Sequence, residues 1–422
     1  MQPLDQVRDD LAKGAKPLAG KLVLLVHPAW HSCGSHQVFV MQAHAYRALG
    51  ALVHSLAISD FPGWTAGSKA HEAYLAATPD LIADQRHYAG MPRRRMATPR
   101  FLAAARQWLH GNAAAMLCAT TRGTELPTEL FALPCIDLIH CNHFFCMPAA
   151  LAFKGAHGPP IVLDTHDMQA RQFSLRNKSQ FRLPPKASFE DMLALEIAEM
   201  READLLIHLN DEEERSWREL LPDKAHALVY PAIKSMPTGP GGSDIIIVAS
   251  ANFPNYLSIA WFLNEVRPQA PDVPLRIIGN IDQIVCAQAP ALFAQHAGVF
   301  CGRMDDLESA YANAAAILLP TTSGHGISVK TIEALSSGAP LIATREAFRG
   351  IAIDPAMLGN VTLAENAADF AAALRAIAKA PKPALDRPMS DTRRLYERLF
   401  AFDAYVNALA ARIDPLLLSQ EL

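Results

Sequence analysis

Long apolar runs are missing from this chain. No stretch reaches the roughly twenty apolar residues that a bilayer span needs, so nothing reads as a membrane crossing. A cysteine pattern is also lacking. Cys33, Cys118, Cys135, Cys141, Cys146, Cys286 and Cys301 are odd in number and scattered. That excludes a disulfide framework and fits a reducing, cytoplasmic compartment. There is no basic excess: the formal net charge of the 422 residues is -4. A nucleic-acid partner is therefore not expected, because such proteins carry a basic field. The charged N-terminal stretch has no apolar core, so no secretory signal is expected. Neither G-x-G-x-x-G nor a G-K-[ST] phosphate loop occurs.

What is present is alternation. Short apolar runs take turns with helical patterns, as in parallel β-α-β units. In the first half, strands are expected at 21–27, 51–58, 114–118, 136–140, 161–164, 205–208 and 227–230. Helices are expected at 37–49 and 186–203. In the latter helix Phe189, Leu193, Ile197 and Met200 share one face, with the acids opposite. The Pro-, Gly- and Ser-rich segment 235–243 reads as a linker. A second series follows, with strands at 244–249, 275–278, 298–301, 315–319 and 341–344. Its helices fall near 256–266, 306–313, 329–337 and 367–378, and a closing helix at 391–413. The expectation is an α/β protein of two Rossmann-like, doubly wound domains facing a cleft. Their bounds are 1–234 and 244–390, with 391–422 packing back toward the first. Ligands of such sheets bind beyond the carboxyl ends of the strands.

The richest segment is 315–344, AAAILLPTTSGHGISVKTIEALSSGAPLIAT. A strand ends at Pro320 and a loop holds Gly324 and Gly326. A helix opens at Ser328, a good N-cap, and stops at Gly338 before Pro340. Free N–H groups and a positive dipole end at such a helix start favour a phosphate. Lys330 adds a cation. Glu333 lies three residues on, about 4.5 Å along the axis, where a carboxylate could accept ribose hydroxyls. An ordinary turn with an exposed Lys330–Glu333 pair accounts for the same pattern.

Gly324, Gly326, Lys330, Glu333, Ala334, Gly338, Pro340 and Thr344 stand in register with a known signature. The segment resembles the donor site of the glycosyl transferases group 1 superfamily, retaining GT-B enzymes of glycosyltransferase family 4 type. Segments 248–279 and 299–320 resemble the preceding blocks of the same family. Asn255, Trp261, Phe262, Pro268 and Gly279 match landmarks of the first. The resemblance implies a GT-B fold and transfer of a sugar, with retention, from a nucleotide-diphosphate sugar. The acceptor would be a glycan or a lipid-linked hydroxyl in polysaccharide or glycolipid synthesis. Glu333 would hold the ribose. Gly326, Ile327, Ser328, Val329 and Lys330 would meet the pyrophosphate, and Gly302, Arg303 and Met304 the base. Asn252 and Gly34 join the donor-binding set. His325 stands where relatives carry a sugar-binding acid, and segment 250–255 lacks the basic pair that many relatives use.

In the first half, the loop 28–35 with Gly34 takes the place of the family's glycine loop. Segment 137–146, DLIHCNHFFC, and segment 161–171, IVLDTHDMQAR, resemble two strand ends. They put His140, Asn142, His143, His166, Asp167 and Arg171 in view. His143, His166 and Lys330 are the candidate catalytic residues. His140, Cys141, His143 and Cys146 fit no zinc spacing, and no D-x-D triplet occurs. Neither a metal nor a cofactor is expected, the nucleotide-sugar being a substrate. The cluster Arg93, Arg94, Arg95 and Arg100 reads as a solvated loop and leaves a peripheral contact with the inner membrane face open. A homodimer is also left open. The alternatives are a GT-B nucleotide-sugar epimerase, with Asp164 and Asp167 as its acids, and a non-catalytic GT-B binding protein.

Overall fold

The computed structural model describes residues 16–31, 33–155, 158–179, 188–379 and 386–418. The N-terminal stretch and the expected helix start at Lys186 lie outside them. The chain divides into two compact units, Met1–Pro231 with Tyr405–Leu422, and Ala232–Ala404.

The first unit holds seven strands: β1 (Leu22–Pro28), β2 (Leu52–Ile58), β3 (Gln85–Ala89), β4 (Leu138–Asn142), β5 (Ile161–Asp164), β6 (Leu205–His208) and β7 (His226–Leu228). Their order is β3-β2-β1-β4-β5-β6-β7, and every pairing is parallel. The order reverses between β1 and β4. Strands such as LVLLVHP are apolar but for His27 and buried almost end to end, as a sheet covered on both faces requires.

The second unit repeats the plan with β8 (Asp244–Val248), β9 (Arg276–Ile278), β10 (Phe300–Gly302), β11 (Ala314–Leu319), β12 (Leu341–Ala343) and β13 (Val361–Leu363). Their order is β10-β9-β8-β11-β12-β13. The reversal falls between β8 and β11. Ile247, Ile277, Leu318 and Ile342 carry its core together with Phe262 and Phe370.

Several expectations need correction. Segment 114–118 is no strand; it lies in the helix Ala113–Arg122. Asn112 caps that helix by accepting from Ala115 N at 2.9 Å, and alanine is the best helix former. A further strand, Gln85–Ala89, not among those expected, is polar because it forms the sheet edge. The helix Phe189–Met200 does not keep its acids outside. Glu196 and Glu199 are buried with Met192 and Met200, each with a partner: Gln169 and Ala170 N–H for Glu196, Arg122 for Glu199. The single helix expected at 391–413 is two, Asp391–Leu399 and Phe402–Leu418. They part at Phe400, which is fully buried. Segment 235–243 lies within the second unit, where Met236 N donates to Ser336 Oγ at 2.8 Å.

Candidate functional site

In the second unit the chemistry gathers at the switch point. The loop after β11 runs from Pro320 to Ser328 and feeds the helix Val329–Ser337. Ser328 caps the helix, its Oγ accepting from Thr331 N at 3.3 Å. At the far end Gly338 adopts φ +67, and a Cβ there would lie 2.3 Å from Arg387 O. Only glycine closes this helix without strain. The loop is tied to the helix Phe253–Trp261 through Thr322 N, which donates to Ser258 Oγ at 3.1 Å.

Glu333 is nearly enclosed. Tyr311 Oη donates to its Oε2 at 3.0 Å. Lys330 Nζ reaches Oε1 at 3.1 Å and Oε2 at 2.8 Å. The ammonium expected to add a cation at the helix start thus rests on the carboxylate; the pair of the ordinary-helix alternative forms, but part-buried instead of exposed. Burial and the neighbouring Glu333 carboxylate push the Tyr311 phenol well above its usual range. It stays protonated and keeps donating. Gly324 (φ +154) and Gly326 (φ +61) flank exposed His325. A Cβ on Gly324 would lie 2.3 Å from Arg349 Nη2, so this glycine makes room for a guanidinium. The sequence reading singled out neither Tyr311 nor Arg349. No spacing rule marks a tyrosine twenty-two residues upstream or an arginine beyond the next strand.

The remaining donor-side candidates are spread over neighbouring strand ends. Asn252 follows β8 and spends its side chain on capping, accepting from Asn255 N at 2.8 Å. Gly302 ends β10 with φ +66, its carbonyl accepting from Gly279 N at 2.8 Å. Met304 Sδ accepts from Arg276 Nη2 at 3.5 Å, and Arg303 is exposed.

In the first unit, the ends of β1, β4 and β5 form a second cluster. His143 and His166 are the non-glycine residues with positive φ, +62 and +52, among the described residues. Their rings stack at 4.1 Å with an interplanar angle of 9°. His166 Nε2 donates to Asn142 Oδ1 at 2.8 Å, and His143 Nε2 lies 3.3 Å from Ser35 Oγ. Burial lowers the His143 pKa to about 3, and His166 is also well below its usual value through burial and the two neighbouring histidines. Both rings are neutral near pH 7 and act as hydrogen-bonding groups, not as cations.

Behind them lies a polar network with Gln42 at its centre. Its amide nitrogen lies 3.0 Å from both Asn142 Oδ1 and Asp164 Oδ2, and its oxygen accepts from Asn142 Nδ2 at 2.8 Å. Burial raises Asp164 to about 7, against the hydrogen bonds from His166 N and Gln42. His140 is enclosed here and bonded to Tyr46 Oη at 2.6 Å. It supports the site from behind. Arg171, expected to face the site, instead reaches Ser216 Oγ at 3.2 Å.

His143, Ser35 and Gly34 line a cavity of about 550 Å³, together with Trp30, Asp60, Phe61, Trp64 and Asp167. Gly34 opens the helix Gly34–Ala48, whose N-cap Cys33 gives no side-chain cap bond. No atom lies within 4 Å of a Cβ placed on Gly34, so it leaves the cavity wall open.

Residues 243–380 match the family model described as glycosyl transferases group 1. The fold is GT-B. The chain is similar to the Anabaena protein HepE solved with UDP, with a TM-score of 0.62 at 14% identity over 94% of this chain and 100% of that one. It is also similar to sucrose-phosphate synthase from Thermosynechococcus elongatus, with a TM-score of 0.60 at 15% identity over 94% and 100%. A third similar structure is the pneumococcal O-GlcNAc transferase GtfA, solved with UDP and GlcNAc, with a TM-score of 0.57 at 9% identity over 94% and 99%. No curated protein matches the sequence. Within the GT-B frame, the glycine loop and the Val329–Ser337 helix fall inside the matched segment, and the histidine pair lies outside it. No described helix is long and apolar enough to cross a membrane.

Proposed function

We propose that this protein is a retaining glycosyltransferase of glycosyltransferase family 4 type. It moves a sugar from a nucleoside-diphosphate sugar to an acceptor hydroxyl in polysaccharide or glycolipid assembly, without a metal or a cofactor. One observation carries the reading: Glu333, enclosed and held by Tyr311 and Lys330, sits one turn inside a helix that opens from a glycine loop at the switch point. Glu333 takes the ribose hydroxyls. The N–H groups from Gly326 to Lys330 take the pyrophosphate, and Gly302, Arg303 and Met304 meet the base. When a nucleotide enters, Lys330 turns from Glu333 to the phosphates. Asn252 and His325 complete the donor-binding set on the second unit. The HepE and GtfA structures solved with UDP support a uridine nucleotide as the first donor to try.

In the reaction the anomeric C–O bond to the diphosphate breaks and the acceptor oxygen bonds to the same face. The acceptor proton passes to a leaving phosphate oxygen. Charge developing on the diphosphate is the main demand. The helix end and Lys330 meet it, with Arg349 beside Gly324 as a further cation. His143 and His166, neutral and fixed, orient the sugar. An epimerase is less well supported, since one of its two acids, Asp164, is enclosed and held by Gln42, which leaves Asp167 alone of that pair on the cavity wall. The unit with an Arg-rich segment is the membrane-facing one in this reading. Residues 85–124 hold Arg86, Arg93, Arg94, Arg95, Arg100, Arg106 and Arg122 and no acid, and Leu102 and Leu109 are 57% and 68% exposed there.

The test is nucleotide affinity. Replacing Glu333 by Ala removes charge-assisted hydrogen bonds of about 1.5–3 kcal/mol, which is roughly ten- to hundredfold in Kd. Titration calorimetry with UDP and UDP-sugars against both proteins reads this directly. Equal affinity in the Glu333→Ala variant would sink the donor-site assignment.

A further inference from the structure

The cavity of the first unit has a chemistry that the donor half does not explain. Phe61 and Trp64 stand at its rim with ring centroids 4.7 Å apart. They are 53% and 46% exposed, although large aromatic side chains are normally well covered. They are held in place by the backbone. Ser59 N donates to Ala89 O at 2.8 Å, and Gly63 N donates to Met91 O at 2.7 Å. A Cβ on Gly90 would lie 1.9 Å from Trp64 O, so the loop presses on the end of β3. These contacts fix the backbone of the loop that carries the two rings.

A third aromatic, Trp30, forms the inner wall. Its Nε1 donates to Asp60 Oδ2 at 3.1 Å, and its ring meets His143 edge-on at 4.9 Å. Asp60 and Asp167 supply carboxylates to the lining. Among the described residues, lysine and arginine supply nothing to it. A cavity of this size with aromatic walls and a few polar groups has the make-up of a small-molecule site. Its charge is acidic. Two carboxylates, with no lysine or arginine among the described residues of the lining, oppose a phosphate or a carboxylate in the same space. They favour hydroxyls, which donate to carboxylates in short charge-assisted bonds.

We propose that this cavity is a subsite for an uncharged sugar ring of the acceptor. The ring lays an apolar face on Trp64, which Phe61 backs with its own ring at 4.7 Å, and gives hydroxyl hydrogen bonds to Asp60 and Asp167. The inference rests on the transferase reading for the word acceptor, and it names the class: a neutral glycan, with no phosphate entering this subsite.

The experiment uses the full chain. Quenching of tryptophan fluorescence and titration calorimetry are followed with neutral methyl glycosides and disaccharides, and in parallel with hexose phosphates. The neutral set is expected to bind and the phosphates to bind at least tenfold more weakly. Trp64→Ala should weaken neutral-sugar binding tenfold or more. Trp64→Phe, which keeps a flat ring, should stay within about threefold of the wild type. That rescue separates stacking from a structural role of the loop. Preferred binding of the phosphates overturns the proposal, as does an unaltered neutral-sugar affinity in Trp64→Ala. A UDP-sugar thermal shift on the same protein keeps the two readings apart. If UDP-sugar stabilises the protein and no neutral sugar binds, the subsite is refuted and the donor assignment stands.

Discussion

The strand-end cluster makes the first unit sensitive to pH in a way that can be worked out. His27, His140, His143, His166 and His208 are buried. Burial lowers them to about 4 for His27 and about 3 for His140, His143 and His208, with His166 well below its usual value. Burial raises Asp164 and Glu196 to about 7, and raises Glu213 to about 8 with help from the Asp167 charge. At pH 5.5 an unfolded histidine is about nine-tenths protonated, while an unfolded carboxyl has lost nearly all its proton. In the folded unit the five rings are neutral and the three carboxyls hold their protons. The unfolded chain then binds roughly one and a half protons more, so stability rises with pH by about 2 kcal/mol per unit there. Above pH 6.5 the histidine contribution fades. The carboxyls, still protonated when folded and ionised when unfolded, make stability fall again. The expected profile is a dome peaking near pH 6.5. Urea unfolding followed by circular dichroism from pH 5 to 8 reads it. His208→Gln should flatten the acid limb by about 1.2 kcal/mol per pH unit, the share of one histidine. A first-unit transition that is level from pH 5 to 6.5, or that keeps rising to pH 8, refutes the reasoning.

Three further outcomes are expected. Gly324→Ala puts a Cβ 2.3 Å from Arg349 Nη2 and holds an L residue at φ +154, so the guanidinium must leave and the loop is strained; UDP affinity measured by calorimetry should fall about tenfold, the equivalent of about 1.4 kcal/mol, together with a lower melting temperature. Glu196→Gln offers one oxygen to the two N–H groups of Gln169 and Ala170; urea unfolding should show a loss of about 1–3 kcal/mol from the orphaned donor. Arg100→Glu with Arg106→Glu should release the protein from vesicles containing anionic lipid in a sedimentation assay, each lost cation being worth about 1 kcal/mol. Equal pelleting of variant and wild type would count against a membrane-facing role.

The parts that the sequence revealed were those with local signals. Ser328, Gly338 and Pro340 bracket one helix, and the structure ends it where they indicate. The apolar strands were legible because buried parallel strands need continuous runs, as in Leu22–Pro28. What stayed hidden depends on partners distant in sequence. Gln42 sits in an ordinary helical pattern, and only the folded sheet brings Asn142 and Asp164 to it. Glu196 looks like a solvated acid until the N–H groups of Gln169 and Ala170 point at it. Segment 114–118 is ambiguous in sequence because a short alanine-rich run suits a buried strand and a packed helix equally well. Trp64 gave no signal as one tryptophan in a Gly- and Pro-containing loop.

The backbone at His143 and His166 gives the strongest sign that the first unit is shaped by something other than stability. Each non-glycine residue at positive φ costs about 1–3 kcal/mol and persists only where its surroundings fix it. Here they do. His143 N donates to Asp164 O at 3.0 Å, and Cys146 N closes a turn on His143 O at 3.0 Å. His166 N donates to Asp164 Oδ1 at 3.2 Å. Two residues on, Met168 N donates to Glu213 at 3.1 Å, and Glu196 holds the next two N–H groups. Glycine would relax both positions at once, and a core does not need an imidazole there. The cost is carried so that two neutral rings stand parallel at adjacent strand ends, one of them on the wall of a cavity rich in aromatics and carboxylates. Under the transferase reading proposed above, rings fixed in this way would undergo little reorganisation when a sugar docks, which is the condition under which weak hydrogen bonds count most in orienting a substrate.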